Sequence, residues 1–280
     1  MAAIDSRALS PSDYDAFSIT APSDPRLPGR GGYVISGFSD IKPAKFGIPG
    51  DELVTFTKNF GKQYEHWNGV DVTINARAWR GLLVQGGTST ERKSTDNCDL
   101  LAARPEIGIA GATVLNAGTG ATTVGITSTL PASVPLEFCH VPGTFLTQVK
   151  LLGAYTMPRI DVQVSASVQS LPGPEITAQY VATSAEVARS LGRPLSGNTP
   201  NVTVNLVRPR SMYADRINQL DLRISKILRF GRNRTTAGID IYNALNSSSV
   251  LALNNAFASW QQPQSILPAR FAKLVLQLDF

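Results

Sequence analysis

The chain carries few side chains suited to covalent chemistry, and their spacing limits what they could do. It has two histidines, His66 and His140, and two cysteines, Cys98 and Cys139. On paper these make four zinc ligands, but the spacings follow none of the short pairings that zinc sites use. No metal and no cofactor is expected. The cysteines lie in or beside one long polar region, and they read either as a loop-closing disulfide of an oxidising compartment or as two free thiols. Glu106 and Glu137 are isolated carboxylates, with no second acid placed for general acid–base work. There is no GxSxG, and neither histidine stands beside a strand that presents a nucleophile. The run from Gly108 to Gly125 lacks GxxxxGK[ST] and a full GxGxxG after a strand, so it reads as loop or short strands rather than a phosphate cradle. An enzyme is not expected from this inventory.

Composition points elsewhere. Hydrophobic residues make up 42% of the chain and charged ones 17%, against about 25% charged in ordinary soluble domains. Mean hydropathy is −0.03, and no apolar run approaches the ~18 residues of a spanning helix. Few charges without a helical span suit a soluble all-β protein or a transmembrane barrel, whose alternating strands average out. The net charge of +5 permits an anionic partner such as lipid. Its densest basic group is Arg223, Lys226, Arg229, Arg232 and Arg234. No nucleic-acid reader motif accompanies it, so nucleic acid is not expected.

The elements that would position these residues are strands. From the end backwards, Phe280, Leu278, Leu276, Leu274 and Ala272 alternate with Asp279, Gln277, Val275, Lys273 and Phe271. A period of two marks a strand with one oily and one wet face. The same alternation runs through Gly69–Trp79, Thr144–Thr156, Ile160–Gln169, Asn218–Leu228 and Arg234–Leu245, with Leu82–Thr90 reached from Trp79 by a tight turn. Residues 1–30 read as irregular. Gly31–Phe38, Glu52–Phe60, Glu175–Val181 and Asn201–Val207 read as shorter β-prone runs, Thr183–Leu191 as a helical turn or two, and Asn246–Pro268 as polar loop. Short turns join the hairpins and long loops, 91–142 and 171–216, separate them, which is the layout of an outer-membrane barrel. The polar face carries Asp71, Arg77, Lys150, Asp161, Asp221, Arg223 and Asp240 mid-strand.

Three C-terminal stretches then carry a resemblance: Asp215–Lys226, Gly238–Asn246, and Trp260 with Pro263, Ile266 to Pro268 and Arg270–Phe280. Upstream, Trp67–Val72, Gln85–Thr88, Leu152–Pro158 and Leu191–Leu195 fit as well. In order and spacing they resemble TonB-dependent outer-membrane receptors, nearest to the Oar-like branch with a carboxypeptidase-regulatory-like domain, over about residues 20–280.

The resemblance implies a plugged barrel of about 22 strands, with TonB supplying energy for uptake of a scarce ligand in the Gram-negative outer membrane. This chain would supply an all-β, antiparallel up-and-down part of it, with about nine to eleven strands, short periplasmic turns and long extracellular loops. Residues 1–30 would be a loop and 31–280 the C-terminal part of the barrel. Met1 to Ala21 has no apolar core of a signal peptide, and the plug and TonB box of the family have no counterpart, so the chain is expected to be the C-terminal part of a longer receptor or else one half of a split barrel. It would touch TonB and the plug only through that other part, and would not transport alone. The terminal strand, with Leu274, Leu276, Leu278 and Phe280, would be the signal for the barrel-assembly machinery. Val164, Ile224 and Leu276 should face lipid, and charge at Ser165, Ser225 or Gln277 should be mild. The alternative is a secreted, soluble all-β binding module or adhesin, within which a Cys98–Cys139 bridge would be at home.

Overall fold

The computed structural model describes residues 2–6, 8–48, 52–78, 81–110, 113–114, 126–127, 130–231 and 233–279. Strands β1 (Ala2–Ser6) and β4 (Glu52–Phe56) pair with each other, as do β2 (Tyr14–Thr20) and β3 (Val34–Ile41). Strands β5 (Tyr64–Ala78) and β6 (Leu82–Asp96) form the longest hairpin. After β6 come the short helix α1 (Cys98–Ala103), the paired β7 (Thr113–Val114) and β8 (Ile126–Thr127), and β9 (His140–Val141). A second long hairpin joins β10 (Leu146–Met157) to β11 (Val162–Leu171). Then β12 (Gln179–Thr183), helix α2 (Ser184–Leu191) and β13 (Asn201–Asn205) follow. The third long hairpin is β14 (Ile217–Phe230) with β15 (Asn233–Tyr242). The paired β16 (Val250–Leu253) and β17 (Pro263–Ile266) lead to β18 (Phe271–Asp279).

The strands that alternate most cleanly assemble into one antiparallel sheet, in the order β18-β15-β14-β11-β10-β6-β5, with β9 paired to the end of β6. The architecture is therefore all-β and antiparallel, but the sheet is open. Strand β5 pairs with β6 and β18 pairs with β15 among the described residues, and each leaves its other edge unpaired. Seven long strands replace the nine to eleven expected. The difference lies in the shorter β-prone runs, which pair with each other or with strands of residues 1–30 instead of joining the sheet.

Two glycines let β6 run between its neighbours. A Cβ on Gly86 (φ +144°) would lie 2.1 Å from the Lys150 carbonyl oxygen, and one on Gly87 would lie 2.1 Å from that of Val72. Any side chain there would force β10 or β5 away.

The buried core lies beyond the long-loop end of the sheet. Phe17, Ile19, Ile35, Phe38, Phe138, Ile176, Val187, Val204, Leu206 and Trp260 are among the residues packed into one cluster. This cap corrects three sequence expectations. Residues 1–30 are not all irregular: Phe17 and Ile19 of β2 point inward and the Phe17 ring stacks on Phe38 at 5.4 Å. Prolines on both sides hide that short alternation. A register shift opposite Gly37 (φ +89°) then brings Ile35 and Phe38, three residues apart, to the same core. The region 246–268 is not simply polar loop, because it holds β16, β17 and Trp260, which is 1% exposed with its ring N–H donating to the Thr177 carbonyl. Finally, β6 extends to Asp96, and α1 follows where unbroken loop was expected.

Helix α2 forms where the helical turn was expected. Thr183 caps it: its hydroxyl oxygen accepts from the Glu186 N–H while the Glu186 carboxylate accepts from the Thr183 N–H. Gly192, at φ +77°, closes the other end. The Tyr180 hydroxyl also donates to Glu186 at 2.6 Å. That bond, followed by the Thr183 N–H, holds the Glu186 carboxyl below its ordinary 4.5. A lowered carboxyl contributes stability that is present above 4.5 and is lost as the pH falls through the folded value. The thermal midpoint of the cap should therefore fall as the pH is lowered below 4.5. Glu186→Gln should give a lower midpoint at neutral pH and a shallower acid slope, as read by circular dichroism across a pH series.

Candidate functional site

Pairing in register carries the alternation of each strand across the whole sheet. On one face, Val72 lies opposite Thr88, Leu151 opposite Val168, and Val164 opposite Ile224. Further across, Ile224 lies opposite Ile239, and Ile239 opposite Leu274. The other face brings Ser165, Arg223, Asp240 and Lys273 into one continuous row.

The burial of the two faces is inverted relative to a water-soluble sheet. Leu274 is 81% exposed, Leu276 69% and Ile224 54%, and Val70, Val72, Ile74, Ile239 and Leu278 are exposed beside them. On the polar face Asp240 is 8% exposed and Ser225 only 2%. Ser225 is packed against Gly238, where an added Cβ would meet its own at 2.8 Å. A charge at Ser225 would therefore not be mild, as the sequence alone had suggested. Ser165 keeps a partly exposed place on that face.

The polar residues singled out from sequence take four kinds of place. Arg223 Nε approaches Asp240 Oδ1 at 3.1 Å as an ion pair, although that oxygen accepts no hydrogen bond. The contact is coulombic. Asp221 works at the loop end, where it accepts from the Asn243 backbone N–H at 2.8 Å and from the Gln219 amide. Asp71 and Arg77 stand exposed on the edge strand β5. Asp161 departs from its expected place: it sits in the turn before β11 at φ 49°, with Arg229 Nη2 3.4 Å away.

Asn243 was not among the expected site residues. It is buried at φ 48°, and its side-chain amide donates to the carbonyls of Ser247 and Pro268, so it fastens the ends of the β15–β18 connection. Its signal in the sequence is an Asn directly after a strand, a residue type that tolerates left-handed backbone. Of the terminal-strand positions, Leu274, Leu276 and Leu278 share the exposed apolar face, and Phe280 lies outside the described residues.

The four paper zinc ligands do not form a site. Cys98 and Cys139 are joined in a disulfide with Cα atoms 4.8 Å apart. His140 Nδ1 lies 3.1 Å from Asp96 Oδ2, while His66 stacks on Tyr64 in β5. Among the described residues no group of three or more His, Cys, Asp or Glu could hold a metal. Glu137 accepts from the Ser36 N–H at 2.8 Å, and Glu106 is buried beside Tyr14, whose hydroxyl is pushed up by burial and then by the Glu106 charge. Both carboxylates thus serve the cap.

The disulfide closes a loop of sequence separation 41 at the rim where β6 enters the cap. Loop-closure entropy for that length corresponds to about 4 kcal/mol. Cys98→Ser/Cys139→Ser, or reduction of the wild type, should lower the cap's unfolding midpoint and speed proteolysis between Leu100 and Phe138. The three long hairpins should keep their protection in hydrogen exchange.

No family model, no curated protein and no solved structure matches the chain.

Proposed function

We propose that the seven-stranded sheet is part of the lipid-facing wall of an outer-membrane β-barrel, and that the protein is a TonB-dependent receptor component taking up a scarce ligand across that membrane. The observation that carries this reading is the inverted burial: the largest aliphatic side chains of the sheet are exposed on one face, while Asp240 and Ser225 are buried on the other. Leaving a single Leu or Ile in water forgoes about 1.5–3 kcal/mol. Soluble monomers rarely expose apolar patches beyond a few hundred Å². A bilayer removes the penalty, and an alternation of apolar-out and polar-in is what a spanning strand requires. Strand lengths of nine to fifteen residues meet the roughly 9–11 residues needed to cross it. That no helix is long and apolar enough to span says nothing against strands.

The open edges set the remaining condition. Backbone groups facing lipid must be paired, so the wall has to be closed by further strands. Strands β5 and β18 both run from the cap toward the turns. Antiparallel closure therefore requires an odd number of additional strands, and a plug and TonB would act from the segment that supplies them. In this reading the cap meets the ligand from outside, and Arg223 and Asp240 line the interior. The exposed Leu274, Leu276 and Leu278 lie along the edge presented to the assembly machinery. Chemistry on the ligand is no part of the proposal.

The cap's own core favours a second reading, a soluble binding module, and one experiment separates the two. The wild type and the variants Ile224→Arg, Leu276→Arg and Ser165→Arg are refolded with phosphatidylcholine vesicles, and flotation is measured. The wild type and Ser165→Arg should float with lipid. Arginine at Ile224 or Leu276 should cost roughly 2–4 kcal/mol near the midplane and largely abolish flotation. A wild type that stays monomeric and soluble without lipid, or equal flotation of all three variants, would replace the membrane reading with the soluble one.

A further inference from the structure

A cluster of basic residues marks one end of the sheet. At the tight-turn end, Arg77 closes β5, Arg159 lies in the β10–β11 turn, and Lys226, Arg229 and Arg234 flank the β14–β15 turn; all five side chains are exposed. In the sequence, Arg80 and Arg232 belong to the same connections. The acidic residues at this end are Asp161, which faces Arg229, and Asp279, opposite Arg234 in register. Among the described residues five Lys and Arg thus sit at this end, against the two acidic residues Asp161 and Asp279.

The positions of these cations also match a bilayer boundary. Lys226 stands on the apolar face, opposite Val162 and Ala237, and its Nζ reaches along the strand to the Ile160 carbonyl in the turn. A lysine that lays its stem over apolar surface and carries its ammonium to the edge is a snorkelling residue. Leu228, Leu278 and Ile160 are exposed nearby, so an apolar band ends in a cationic collar.

We infer that this collar docks on the headgroups of an anionic phospholipid leaflet, with the lipid phosphates as its ligands. The inference rests on the membrane reading above, and it adds which end of the sheet meets which lipid. Each cation near an anionic surface strengthens binding roughly fivefold, and at about 0.1 M salt such attraction fades over ~10 Å. Cations at the surface should therefore contribute at low salt and much less at high salt.

The test uses the full chain with phosphatidylcholine vesicles, with and without phosphatidylglycerol, at low and high salt. The wild type should partition at least tenfold better into phosphatidylglycerol vesicles at low salt, and high salt should remove the difference. The variant Arg159→Gln/Lys226→Gln/Arg229→Gln/Arg234→Gln should keep its binding to phosphatidylcholine and lose that preference. Equal wild-type binding to both vesicles, a preference untouched by salt, or a preference kept by the variant would overturn the collar and leave the membrane wall standing. Binding to neither vesicle would overturn the wall itself. Should the variant fail to fold, the salt dependence of the wild type decides alone.

Discussion

A slip of one residue between β11 and β14 would move Ile224 to the face now held by Asp240 and Arg223. The rest of the structure depends on that register being kept through six successive antiparallel pairings. A side-chain period of two makes each strand two-faced, but only matched registers make the faces continuous from β5 to β18. Gly86 and Gly87 allow the closest of these approaches, and the left-handed turn residues Gly81, Asp161 and Gly231 let each hairpin reverse without shifting it.

The molecule separates two jobs that a soluble domain combines. Its sheet supplies hydrogen bonds and two surfaces but almost no core. Its loops supply the core, built around Phe17, Phe38, Val187, Val204 and Trp260. Several ties join the parts: the Asn243 amide at the end of β15, Arg216 Nη2 on the carbonyls of Thr147 and Ser170, and the Cys98–Cys139 bridge next to the end of β6. The cap buries its apolar side chains in a core of its own, while the sheet leaves one apolar face exposed. This division is what supports the proposal of a lipid contact on the sheet and a ligand contact on the cap.

The open edges make the sheet the less self-sufficient partner. Strands β5 and β18 run in the same direction, so bending the sheet round to join them would create a parallel seam. On the polar face Ser225 Oγ is buried without a hydrogen-bond partner, and Asp240 Oδ1 has only its ion pair with Arg223. In the proposed barrel the unpaired strand edges would be satisfied by further strands.

The long alternating runs were legible because strand periodicity is local: Val70 to Ala78, Leu220 to Leu228 and Ala272 to Leu278 each declare their two faces with no knowledge of a neighbour. The sequence by itself therefore determined the long strands, their tight turns and the antiparallel all-β class, and it placed a helical turn or two at Thr183–Leu191. Only the tertiary structure decided that the seven long strands share one sheet, that the shorter runs pair in a cap, and that Trp260 and Phe17 are buried. It also decided that Asp161 belongs to a turn and that Ser225 is closed in by Gly238. These depend on which distant segments meet, and on bulges such as the one at Gly37 that break the period of two. A linear pattern records the face a residue takes on its own strand, but not what the neighbouring strand, or the cap above it, brings against that face.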